Sequence, residues 1–95
     1  MPSYRAGTIV DCLTRKLRAT ELMGDHRVFE VYDDGTLVAR TRLSHSFRRT
    51  TAIGPSIVAQ IKRDLKLPTW REFDDLLRCP LSRDAYLAIV KSRTS

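Results

Sequence analysis

Only two histidines occur in the 95 residues, His26 and His45, and both fall in one stretch, GDHRVFEVYDDGTLVARTRLSH. Imidazole is the side chain that changes charge near neutral pH without help from its surroundings, so acid–base chemistry in this chain starts here. Arg40 and Arg42 belong to the same stretch. Histidine beside guanidinium groups suits cleavage of RNA. A base takes the proton of the 2′-hydroxyl, its oxygen attacks the adjacent phosphate, and cations stabilise the crowded phosphorane, with no metal required. In that scheme His26 is the base, or the acid for the leaving oxygen, and Arg40 or Arg42 holds the phosphate through paired N–H donors. His45 is the candidate second acid or base.

The stretch that must position these groups reads as a β-hairpin. RVFEVY and TLVARTRL alternate and are rich in β-branched and aromatic residues, and Asp33-Asp34-Gly35 joins them. A two-residue turn at Asp34-Gly35 would pair Val31 with Val38 and Phe29 with Arg40, mixing apolar and charged side chains. A three-residue loop, with Gly35 in the left-handed region, pairs Val31 with Leu37, Phe29 with Ala39 and Val28 with Arg40. Only the second segregates the faces, and segregation normally sets register. It puts Phe29, Val31, Leu37, Ala39 and Leu43 toward the core. His26, Val28, Glu30, Tyr32, Val38, Arg40 and Arg42 take the open face, with His26 across from Arg42, while His45 falls on core parity.

Helices must cover the buried face. Ile9, Leu13 and Leu17, with Val10 beside them, form one stripe of a helix over about 9–19, with Thr8 as its cap. ATELMG, which follows, extends that helix or supplies a third strand; a two-stranded sheet is marginal alone. Gly54-Pro55 opens a second helix that buries Ile57, Val58, Ile61 and Leu65 and leaves Gln60, Lys62, Arg63 and Lys66 outside. Thr69-Trp70-Arg71-Glu72 is a capping box for a third helix that buries Trp70, Phe73, Leu76 and Leu77 and stops at Cys79-Pro80. Ser82 caps a fourth helix over 83–92, with Tyr86, Leu87, Ile89 and Val90 on its apolar side and Leu81 stapled onto Tyr86. The expected architecture is one α+β domain over 1–95: a small antiparallel sheet with helices on one face, an α-β-β(-β)-α core and extra C-terminal helices.

Charge sharpens the choice of partner. Lys and Arg against Asp and Glu number five to six in residues 1–35, seven to one in 36–66 and five to four in 67–95, which places the whole net charge of +6 in the middle third. A block with one acid among seven bases attracts polyphosphate, and Arg40, Arg42, Arg48, Arg49, Lys62, Arg63 and Lys66 are its candidate RNA contacts. No GxGxxG or GxxxxGK[ST] phosphate loop, GxSxG elbow, HExxH or CxxC pattern occurs, so no metal or cofactor is expected. A zinc site would have to be assembled from Cys12, Cys79, His26 and His45, which share no ligand spacing. No apolar run approaches the roughly 20 residues that span a bilayer, and MPSYRAG lacks the apolar core of a secretory signal, so a cytoplasmic protein with no membrane partner is expected.

Several short motifs, in order, add a resemblance. Gly24-Asp25-His26-Arg27-Val28-Phe29 resembles the G-S-H-x-x-F/Y signature of HicA-type toxins, with Asp25 in place of serine and Arg27 in place of a frequent second histidine. Leu43-Ser44-His45-Ser46 is similar to the P-x-H that closes that family's hairpin. Ile53-Gly54-Pro55-Ser56-Ile57-Val58-Ala59-Gln60-Ile61 and Leu67-Pro68-Thr69-Trp70-Arg71-Glu72-Phe73 resemble its second-helix and following motifs. The resemblance implies a double-stranded-RNA-binding-like fold, metal-independent cleavage of mRNA with His26 as the catalytic residue, and a HicB-like antitoxin as partner protein. The alternative is a nucleic-acid-binding module without catalysis, using either the open sheet face or a helix-turn-helix in IVAQIKRDLKLPTWREFDDLL. That would-be recognition helix carries Glu72, Asp74 and Asp75 against Arg71 and Arg78, a poor charge balance for a DNA groove.

Overall fold

A computed structural model describes residues 4–78 and 81–94. In chain order the elements are β1 (Tyr4–Arg5), α1 (Ala6–Asp11) running on into a π-helical turn (Cys12–Lys16), β2 (Thr20–Met23), β3 (Arg27–Asp33), β4 (Thr36–Leu43), β5 (Ala52–Ile53), α2 (Pro55–Asp64), α3 (Trp70–Leu77) and α4 (Arg83–Thr94). β2, β3 and β4 form an antiparallel sheet in that order, and β1 pairs with β5 in a separate two-stranded ladder. The chain is therefore α+β, and the ambiguous ATELMG segment supplies the third strand.

The first helix starts earlier than its apolar stripe suggests. Thr8 is not its cap, because the unpaired N–H groups of the first turn find acceptors in a distant loop: Ala6 N–H donates to Thr51 O and Gly7 N–H to Arg49 O, both at 2.9 Å. Glycine at position 7 lets the two segments approach this closely, since a Cβ there would stand 3.0 Å from the Arg49 carbonyl oxygen and the Arg49 backbone would have to give by a few tenths of an ångström. At the other end, Leu17 N–H reaches Cys12 O and Arg18 adopts a φ of 54°, which closes the helix and turns the chain into β2.

The β3–β4 hairpin corrects the expected register. Asp33 pairs with Thr36, so the turn has two residues, Asp34 and Gly35, with φ of 53° and 80°. Positive φ at both positions matches the twist of the flanking strands. Carried through, that turn would have mixed the faces, but the pairing shifts by one residue between Val31 and Tyr32, and Val38 is the extra residue on β4. Beyond this bulge Val31 faces Ala39, Phe29 faces Thr41 and Val28 faces Arg42. Phe29, Val31, Ala39 and Leu43 are buried as expected, and Thr41 joins them. Leu37, expected in the core, lies on the turn side of the bulge and is 47% exposed.

Helices cover the inner face as one continuous core. Val58, Ile61 and Leu65 in and after α2, Phe73, Leu76 and Leu77 of α3, and Tyr86, Leu87 and Val90 of α4 are buried with Ile9, Leu13 and Leu17. The Thr69 hydroxyl oxygen accepts the Glu72 N–H and its proton goes to the Glu72 carboxylate at 2.9 Å, so the expected cap forms. The fourth helix is integral rather than appended. Ser82 caps it, Tyr86 is fully buried with its hydroxyl donating to Leu65 O at 2.8 Å, and Arg83 donates to Leu17 O and Tyr32 O. Leu81 packs against this core; Cys79 and Pro80, expected to end the third helix, lie outside the described residues. Among the described residues no helix is long and apolar enough to cross a membrane.

Candidate functional site

His26 is the last residue of a three-residue connection, Gly24–His26, which links Met23 of β2 to Arg27 of β3, the final pair of that ladder. It is exposed and stands just before the strand, so it is not opposite Arg42 as expected; Val28 holds that place. The two-residue offset follows from the tighter turn plus the bulge. His26 and Arg42 nevertheless line one open concavity of about 580 Å³, together with Leu22, Met23, Asp25, Val28, Arg40, Gln60 and Asp64.

Alternation along the strands explains who is there. Across the open face, Leu22, Val28 and Arg42 form one cross-strand row and Thr20, Glu30 and Arg40 the next. The Arg40 guanidinium lies 3.7 Å from the Glu30 carboxylate, which also accepts the Tyr32 hydroxyl at 2.9 Å. That hydrogen bond raises the Tyr32 phenol above its usual range. Among the described residues Arg42 makes no ion pair, so its charge is available to a ligand. From the other side of β4, the buried Thr41 donates to Asp64 of α2 at 3.0 Å, and this bond fixes the carboxylate in the wall of the concavity.

His45 does reach the His26 loop, although strand parity assigns it to the core. The chain turns after Leu43: Ser46 N–H donates to the Ser44 hydroxyl oxygen, Phe47 N–H to Ser44 O, and the two serine hydroxyls bond at 2.8 Å. This turn presents the His45 ring to the loop, where Nε2–H donates to Gly24 O at 2.7 Å. His45 thereby ties down the connection that carries His26. Arg27, at the position next to His26, is turned away to Glu21 at 2.8 Å and over the Phe29 ring.

The expected basic contacts divide. Arg40 is shared with a second concavity, of about 390 Å³, lined also by Leu37, Val38, Asp64, Arg63 and Lys66, so Arg42, Arg40, Arg63 and Lys66 form one strip along β4 and the end of α2. Arg48 is exposed in the loop before β5, outside this strip. Arg49 clamps Asp11 with both terminal guanidinium nitrogens, at 3.1 and 2.7 Å, and this holds the Asp11 carboxyl below the usual carboxylate range. Lys62 lies over the Trp70 ring, 5.4 Å from its centroid.

Two residues of the wall were not among the expected contacts: Gln60, expected only on the outer side of the second helix, and Asp64. Their spacing of one helical turn was the available signal. Of the four residues considered for zinc, Cys12 is buried with Sγ 3.8 Å from Leu76 O and Cys79 lies outside the described residues. Among the described residues no group of three or more His, Cys, Asp or Glu side chains could hold a metal ion. The chain matches no family model, no curated protein and no solved structure.

Proposed function

We propose that the chain is an endoribonuclease that cleaves RNA through His26 without a metal ion, and that it is a divergent HicA-type toxin neutralised by a HicB-like antitoxin. The observation that carries the chemistry is that His26, Arg40 and Arg42 line the same open concavity. His26 takes the 2′-hydroxyl proton, the O2′–P bond forms as the P–O5′ bond breaks, and solvent protonates the leaving O5′. The products are a 2′,3′-cyclic phosphate and a 5′-hydroxyl. Arg42 neutralises the phosphorane, and Arg40 joins it by leaving its long contact with Glu30. Asp25, which stands where the resemblance has a serine, lines the same concavity.

The test is incubation of the purified chain with single-stranded RNA in EDTA, beside His26→Ala. Cleavage by the unaltered protein that falls by about 10²- to 10⁴-fold in the variant supports the proposal. Intact RNA with salt-sensitive binding would favour the second reading, a nucleic-acid-binding module. For that module the sheet face is the better surface, because Phe73, Leu76 and Leu77 of the would-be DNA recognition helix are buried. A small partly degraded ribonuclease-H-like partner encoded next to the chain would support the toxin pair.

A further inference from the structure

We infer that Gln60 and Asp64 form a base-recognition subsite that selects guanine, an inference that rests on the reading of the concavity as an RNA site. The two residues stand one turn apart on α2, so their side chains share a face, and both line the concavity that holds His26 and Arg42. The Thr41 hydroxyl, on a residue only 2% exposed, pins the Asp64 carboxylate in place at 3.0 Å. A carboxylate offers about four lone-pair sites, so this bond leaves it capacity to accept more.

A phosphate is repelled by that wall and goes to the arginines; what the wall attracts is a donor. Among the four bases only guanine presents two adjacent donors on its Watson–Crick edge, N1–H and N2–H, in the parallel geometry a carboxylate accepts. Adenine and cytosine place a ring acceptor beside their amino group, and uracil flanks its single N–H with two carbonyls. The Gln60 carboxamide supplies the N–H that guanine O6 requires. Leu22, 44% exposed, and Val28 line the same concavity and add apolar surface to it.

The experiment measures binding of short single-stranded RNAs to the full chain carrying His26→Ala, which keeps the strands intact. The strands are all uridine, or uridine with one central guanine, adenine or cytosine. The guanine strand is expected to bind about tenfold tighter than the others. Adding Asp64→Asn, which still accepts the Thr41 bond, should bring the guanine strand within about twofold of the uridine strand without weakening the latter. Gln60→Ala provides a second variant and should also reduce the preference. Equal affinity for all strands, or a guanine preference that survives both substitutions, overturns the subsite. Failure of every strand to bind overturns the RNA reading itself, and the subsite with it.

Discussion

At 2.7 Å from the Gly24 carbonyl, the His45 Nε2 must carry the proton, since a carbonyl only accepts. That bond assigns His45 the holding of the loop and leaves Nδ1 as the ring nitrogen that can accept a proton. His45→Ala should speed amide hydrogen exchange at Asp25 and His26 and lower kcat for RNA by about tenfold with little change in KM. His45→Gln, whose carboxamide N–H reaches the same carbonyl, should restore most of both. A glutamine variant as slow as the alanine variant would instead make the imidazole itself a reacting group. At this scale the sequence made His26 conspicuous, because titratable side chains are few. Strand parity misplaced His45, because parity ends where the strand ends and the Ser44–Phe47 turn is made by hydroxyl bonds that no periodicity encodes.

Elements were legible where local rules agree. The Thr69 cap, the Pro55 start and the three-strand option all appear as their residue types imply. They were illegible where distant groups decide: the start of α1 depends on carbonyls some 40 residues away, and the bulge at Val38 allows a favoured turn and a segregated sheet together. β1 is another case, since Tyr4 is buried against Phe73, edge to face at 5.5 Å, and its hydroxyl donates to Asp74 of α3 at 2.7 Å. Burial, then the Asp74 carboxylate, push the Tyr4 phenol up to about 12, and the same hydrogen bond, with Arg78, lowers Asp74. A depressed carboxyl stabilises the fold above its unfolded value and loses that contribution as pH falls through its folded value. A raised phenol does the reverse, contributing below about pH 10 and losing it toward about 12. Tyr4→Phe should therefore cost about 1 kcal/mol in urea unfolding near neutral pH and less below about pH 4 or above about pH 10. A cost that does not change with pH would contradict the coupling of these two elements.

For the molecule as a whole, the net charge of +6 is less informative than where each charge is spent. Arg49 is committed to Asp11 and Lys62 to Trp70, whereas Arg42, Arg40, Arg63 and Lys66 border two concavities that share a wall. The sequence located the basic third of the chain but could not divide it, because the division depends on which face of β4 and α2 meets open solvent. Replacing any one of those four by glutamine should lower the slope of log affinity against log salt for single-stranded RNA by about 1, and replacing Arg48, Arg49 or Lys62 should leave it nearly unchanged. Equal effects from both sets would remove the strip as the binding surface. On the proposed reading this surface delivers a 2′-hydroxyl to His26. Its most direct measurement is the end-group chemistry of strands cut in EDTA, comparing a mixed-sequence RNA with DNA of the same sequence and the unaltered chain with His26→Ala. The proposed cleavage gives 2′,3′-cyclic phosphate ends from RNA, uncut DNA, and loss of these products in the variant; uncut RNA, cut DNA, or the same products from His26→Ala would overturn it.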